Sequence, residues 1–255
     1  MKKFDKNIKS ANKLDLMSVD EKIEYFKEIK EYILSLDFDE EKLVQGEKKF
    51  LQAVNFLVPN FKKRYEPNVS SKLKETPEEP FILISNHLGS FDQILLNTPF
   101  PDSVFHYMIA ESLMNIKNLC VGKLYTARGA FVVDRRTSEG RALAIPKALE
   151  YLYRNRNVAL FPEASRQIRY GSDGTVQKFK NGSVMLAQMT STPIIPVAIN
   201  NNYKKGEVYI NVGEKFEVNP DDKIIEKNQE LREKVINLWQ ENHDKGALIL
   251  TKKKK

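Results

Sequence analysis

Apolar residues fall into two kinds of pattern along this chain. Short dense runs at residues 81–84, 104–109, 131–133, 158–161 and 194–199 read as buried β-strands. Residues 207–212 alternate polar and apolar positions, as a strand with one covered face does. Between these runs, apolar positions recur every three or four residues, the spacing of one helical face. Ser18-Val-Asp-Glu21 is a capping box. The helix behind it carries Ile23, Phe26, Ile29 and Ile33 on one face. Residues 37–40 break it. A second helix follows, with Leu43, Phe50, Val54 and Leu57 on a face, ending near Pro59. Further helices are predicted over about 111–119, 137–154 and 183–189. A last one covers about 225–243, with Leu231, Val235, Leu238 and Trp239 to bury.

Strands alternating with helices predict an α/β fold, a layered mixed sheet flanked by helices, preceded by an N-terminal amphipathic helical hairpin. The expected organisation is a hairpin over residues 1–65, a Pro-rich linker over 66–80, an α/β domain over 81–250 and a basic tail over 251–255. Two readings of the hairpin stand: it covers the sheet, or part of its apolar surface rests on a membrane interface. In the second, the segment Phe61-Lys-Lys-Arg-Tyr65 faces anionic lipid. Pro193 is expected to begin its strand and Pro196 to sit at an edge or bulge, because proline donates no ladder hydrogen bond.

The polar residues gather where strands stop. The run at 81–84 ends in Asn86-His87, and a helix start bearing Asp92 follows, with Ser90 as its cap. The run at 131–133 ends in Asp134-Arg135. The run at 158–161 ends in Pro162-Glu163-Ala164-Ser165-Arg166. In open α/β sheets the carboxyl ends of strands are where ligands and chemistry sit. A carboxylate on one imidazole nitrogen leaves the other free to take a proton. Guanidinium forks suit phosphate or carboxylate. Lys178 precedes a Gly-containing helix start suited to an anion. His106 lies inside an apolar run and is expected to be structural. No serine stands in a Gly-x-Ser-x-Gly elbow, and Cys120 has no base near it in sequence, so the expected nucleophile is a hydroxyl on the substrate.

Composition narrows this a little. The chain has 255 residues, a net charge of +7 and one cysteine, so no intrachain disulfide forms. The basic balance suits phosphates, anionic lipid, nucleic acid or an acidic carrier protein. Nucleic acid is disfavoured, because the lysines are dispersed and no recognition motif occurs. A metal hydrolase is disfavoured, because the three histidines lack ligand spacing. No apolar run approaches the roughly 18 to 20 residues that span a bilayer, and no signal peptide is read at the start. The expected location is therefore cytoplasmic, peripheral on the cytoplasmic face of the membrane.

Asn86-His87-Leu-Gly-Ser-Phe-Asp92 resembles the N-H-x4-D motif of the glycerolipid acyltransferases, within which it is similar to the bacterial 1-acyl-sn-glycerol-3-phosphate acyltransferases. Gly129-Ala-Phe-Val-Val-Asp-Arg135, Phe161-Pro-Glu-Ala-Ser-Arg166 and Ile195-Pro196-Val197 resemble the family's later motifs, in its order. The likeness covers about residues 81–200. It implies that His87 deprotonates a glycerol hydroxyl while Asp92 orients it. It also implies that Arg135, Glu163 and Arg166 hold the glycerol-phosphate headgroup, with Asn86 and Lys178 beside them, and that Pro196 shapes the acyl-donor site; a carboxylate repels phosphate, so Glu163 is expected to position an arginine or a substrate hydroxyl. The implied partners are a lysophospholipid and an acyl donor, acyl-CoA or acyl carrier protein, as co-substrate, with no resident cofactor or metal. An anionic membrane surface is a further expected partner. Acylation of 1-acylglycerol 3-phosphate is the leading expectation, with glycerol 3-phosphate or another lysophospholipid as the alternative acceptor. A non-catalytic phosphate- or lipid-binding protein is the alternative of another class. The chain departs from the family pattern at Gly89, Ala164 and Ser165, where serine, glycine and threonine are usual.

Overall fold

The computed structural model describes residues 8–65, 67–89, 92–110, 130–134, 137, 140, 143–164, 176–202 and 207–244. Three helices, α1 (Ala11–Asp15), α2 (Val19–Leu34) and α3 (Glu40–Tyr65), precede the first strands. Next come β1 (Asn68–Ser71), β2 (Ile82–Ser85), α4 (Asp92–Leu96), β3 (Phe105–Ala110) and β4 (Phe131–Val133). The chain continues through α5 (Ala144–Leu152), β5 (Asn157–Leu160), α6 (Gly182–Thr190), β6 (Ile194–Asn202), β7 (Glu207–Val212) and α7 (Ile224–Asp244).

The seven strands form one mixed sheet in the order β1-β7-β6-β2-β5-β3-β4. Every pairing is parallel except the antiparallel β6–β7. β2 lies at the centre, in register with β5 (Leu83↔Ala159) and β6 (Leu83↔Ile195). Strands covered on both faces need apolar residues at every position, which is why these runs are dense rather than alternating. One face packs Ile82, Ile84, Val158, Leu160 and Ala198 beneath α1, α2, α5, α6 and α7. The other packs Leu83, Tyr107, Ala159, Ile195 and Val197 with Phe50 of α3 and Leu95 and Leu96 of α4.

The Ser18 capping box is present: Ser18 Oγ accepts from Glu21 N at 3.3 Å and Glu21 Oε2 accepts from Ser18 N at 2.7 Å. Several expectations need correction. The α2 stripe holds at Phe26, Ile29 and Ile33, but its first buried position is Lys22, with Ile23 exposed. The Lys22 ammonium crosses the apolar layer to donate to the carbonyls of Pro220 (2.8 Å) and Asp222 (3.1 Å), so its stem packs while its charge is satisfied. Helix α3 continues through Pro59 to Tyr65. The hairpin is not a separate unit, because Ala11, Leu14, Phe26, Ile29 and Ile33 share one apolar cluster with the strands. Nor are residues 66–80 only a linker, since β1 lies there and pairs with β7.

Pro196 sits in the interior strand β6, opposite Ile84, rather than at an edge. Its carbonyl accepts from Gly213 N at 2.8 Å, so its ring nitrogen faces that same side, where β7 has already ended. The register slips by one residue between the Val197↔Val212 pair and the Ile194↔Phe216 bridge, which is the bulge that accommodates the missing donor. Gly213 permits this contact, since a Cβ there would meet Pro196 Cγ at 2.9 Å. The helix expected over 111–119, Cys120 and the basic tail lie outside the described residues.

Candidate active site

The site is built at the carboxyl ends of the neighbouring parallel strands β2 and β5. Past Ser85 the backbone leaves the sheet, and the Asn86 side chain takes over its pairing with β6. Asn86 Nδ2 donates to Ile199 O and Asn86 Oδ1 accepts from Ile199 N, both at 2.8 Å. Asn86 is fully buried, so it braces the turn and offers no surface to a substrate. The turn then presents His87, whose side chain is 18% exposed.

His87 Nδ1 lies 2.7 Å from Asp92 Oδ2. The same oxygen accepts Leu88 N at 2.6 Å and Gly89 N at 2.8 Å. Asp92, at the start of α4, is 0% exposed and held by three donors from the loop it closes. A carboxylate only accepts, so Nδ1 carries the proton and the neutral ring has its lone pair on Nε2. The ring is fixed from one side by Phe161, stacked with centroids 4.1 Å apart and planes at 17°. The sequence places Phe161 at a strand end but gives no sign that its ring lies against His87.

Glu163 is only 4% exposed. Its Oε1 accepts from His87 N at 2.9 Å and its Oε2 from Gln177 N at 3.1 Å. It therefore ties the two strand ends to the returning segment 176–180. Lys180 N, donating to Pro162 O at 2.8 Å, adds a second tie. Ala164 adopts φ 58°, the left-handed conformation that glycine enters without cost, within a turn closed by Ala164 N donating to Phe161 O at 2.9 Å. Lys178 is exposed on segment 176–180. Pro196 is buried in the sheet. Arg135, Ser165, Arg166 and the expected cap Ser90 lie outside the described residues.

After β4, Thr137 Oγ1 accepts from Gly140 N at 3.0 Å. His106 is buried at the opposite, amino-terminal end of the strands. It stacks on Tyr151 with centroids 4.1 Å apart and meets Glu47 Oε1 at 3.2 Å. Arg156 holds the same Glu47 at 2.6 Å and Glu40 at 2.6 Å. Burial alone raises the Glu47 carboxyl, but its bonds to His106 and Arg156 together bring it below the ordinary value. Burial pushes the Tyr151 hydroxyl up to about 12. Among the described residues, no three His, Cys, Asp or Glu side chains come together to hold a metal ion, and no helix is long and apolar enough to cross a membrane.

A histidine paired with a buried aspartate five residues on, at a strand end of an α/β sheet, is the feature the acyltransferase motif describes. The Acyltransferase family model matches residues 64–200, and the chain belongs to that family. Among its relatives is the 1-acyl-sn-glycerol-3-phosphate acyltransferase of Saccharomyces cerevisiae, 30% identical over 49% of this chain and 40% of its own length. The enzymes of that name from Borreliella burgdorferi and Bacillus subtilis are each 27% identical over 52% of this chain, covering 51% and 65% of their own lengths. The chain thus spans about half the length of the curated relatives it matches. In fold it is similar to the crystal structure of the 1-acyl-sn-glycerophosphate (LPA) acyltransferase PlsC of Thermotoga maritima. That likeness has a TM-score of 0.57 at 20% identity, over 88% of this chain and 95% of that one.

Proposed function

We propose that this protein transfers a fatty acyl group from acyl-CoA or acyl-[acyl carrier protein] to the free hydroxyl of 1-acylglycerol 3-phosphate, giving phosphatidic acid for phospholipid synthesis. The observation that carries this is the 2.7 Å contact between His87 Nδ1 and the buried Asp92. It holds the ring with a basic Nε2, and the relatives' names supply the substrate class. Nε2 takes the hydroxyl proton as that oxygen attacks the thioester carbonyl. The tetrahedral intermediate collapses to the ester and expels the thiolate, which recovers the proton from His87. Asp92 stabilises the imidazolium that forms between these steps. Loss of the general base is expected to cost about 10²–10⁴-fold in rate.

Arg135, Arg166 and Lys178 are proposed to receive the phosphate. What supports this is their order in the sequence, Arg135 following β4 and Arg166 and Lys178 following β5. Asn86 and Glu163 serve the scaffold. Purified protein supplied with a labelled acyl thioester and, separately, 1-acylglycerol 3-phosphate or glycerol 3-phosphate tests the reading. The lyso acceptor is expected to be esterified faster, and no ester with either would overturn it. A substrate held in a bilayer and a net charge of +7 support peripheral attachment to the cytoplasmic face of an anionic membrane. Co-sedimentation with anionic vesicles at low salt is expected, and its absence would refute the attachment.

A further inference from the structure

Helix α7 lies beyond residues 64–200, the part the family model matches. Yet it grips the segment that braces the catalytic turn. Arg232 Nη2 donates to Val176 O at 2.6 Å and Arg232 Nε to Gln177 O at 2.9 Å. One helical turn earlier, Asn228 Nδ2 donates to Phe179 O at 3.1 Å and to Asn181 Oδ1 at 2.9 Å. The far side of the same segment faces the site, where Gln177 N donates to Glu163 Oε2 and Glu163 Oε1 accepts His87 N. Arg232, Gln177, Glu163 and His87 thus form one continuous line of hydrogen bonds from α7 to the proposed base.

We propose that Arg232 is a positioning residue for His87. This rests on the reading of His87 as the general base. A guanidinium presents its donors in a rigid planar fork, so two successive carbonyls bound to it fix the orientation of the two peptide groups to which they belong. The first of these, with the Val176 carbonyl, carries the Gln177 N–H. Its direction decides whether Glu163 keeps both donors, and so where the His87 backbone sits. An ammonium at residue 232 is a point charge with rotatable donors, so it can reach a carbonyl without the fixed plane that sets the pair's orientation. Arg232 acts on His87 through Gln177 and Glu163.

Arg232→Met is expected to lower kcat by up to about 10²-fold, the scale of a displacement near 1 Å at the reacting groups. KM for the acyl donor is expected to stay near the wild-type value, and Arg232→Lys to recover part of the loss. A second readout does not depend on turnover. The chain has three histidines, His87, His106 and His243. In ¹⁵N-histidine-labelled protein, Arg232→Met should move the His87 ring resonances and leave those of His106 in place. Unchanged kcat and unchanged His87 resonances in the folded variant would overturn the proposal. Should Arg232→Met fail to fold, Arg232→Gln, which keeps one donor, is judged by the same two readouts. If the wild-type protein transfers no acyl group, the proposed function falls, while the histidine spectra still decide the role of Arg232.

Discussion

Asp92→Asn separates the charge of Asp92 from its shape. In the folded protein Asp92 Oδ2 accepts from His87 Nδ1, Leu88 N and Gly89 N within 2.6–2.8 Å. An asparagine oxygen in that place can still accept, but without charge each bond is about half as strong. At about 1.5–3 kcal/mol for a charge-assisted bond and about 1 kcal/mol for a neutral one, the three together lose about 1.5–6 kcal/mol. The new amide nitrogen falls where Oδ1 finds no partner. Against this, a neutral side chain relieves the desolvation of a fully buried carboxylate, a cost of several kcal/mol per ion. The two effects largely cancel in the ground state, so stability is expected to change by no more than about 2 kcal/mol. They do not cancel in the transition state, where His87 becomes a cation and the asparagine offers it no opposite charge. In the serine-protease arrangement the equivalent change costs about 10⁴ in kcat. Here a loss of about 10²–10⁴ in kcat is expected, or about 3–5.5 kcal/mol of barrier. KM should barely move, because buried Asp92 touches no substrate. Steady-state kinetics of phosphatidic acid formation measures both quantities. His87→Ala/Asp92→Asn should be no slower than His87→Ala alone, since the pair acts as a unit. A folded Asp92→Asn variant with kcat within about threefold of wild type would refute the reasoning that the charge of Asp92 supports His87.

Asn86→Ala removes both bonds to Ile199 and leaves a buried N–H and C=O without partners. Urea denaturation should show about 2–4 kcal/mol lost. Ala164 occupies φ 58°. Ala164→Gly should therefore be neutral or stabilising by up to about 1 kcal/mol, whereas Ala164→Val, β-branched in the same conformation, should destabilise by about 1–2 kcal/mol. Glu47 has a depressed carboxyl, so its stabilising contribution is complete above the ordinary value of 4.5 and is lost as pH falls through its lower folded value. Glu47→Gln should accordingly be less stable than wild type at about pH 7, with the gap closing at about pH 3.

The strands that carry the site were legible because burial on both faces demands apolar runs, and the turn residues that end them are polar. The Ser18 box and the Leu231, Val235, Leu238 and Trp239 face of α7 were legible for the same kind of local reason. β1 was not, since three of its four residues are polar, all four are exposed at the sheet's edge, and its pairing with β7 is a matter of distance in sequence. Lys22 and Ile23 exchanged places because an ammonium that finds two carbonyls can be buried, and those carbonyls lie some 200 residues along the chain. At the site, a motif shows which residue types stand at a strand end but not what each one holds. Asn86 and Glu163 sit in the same motifs as His87, yet Asn86 also bonds Ile199 N and O across the sheet, and Glu163 also bonds the backbone N–H groups of His87 and Gln177. Arg232 carried no signal, because a helical arginine whose partners are main-chain carbonyls looks like any solvated one.

The central claim is that His87 takes the proton from the acceptor hydroxyl. Its most direct test is the rate of thiol release from an acyl thioester in the presence of 1-acylglycerol 3-phosphate, for wild-type protein and His87→Ala at matched folding. The account predicts thiol release coupled one-to-one to phosphatidic acid in the wild type, and a fall of about 10²–10⁴-fold in the variant. Equal rates for the two proteins, or thiol release without ester, would contradict it.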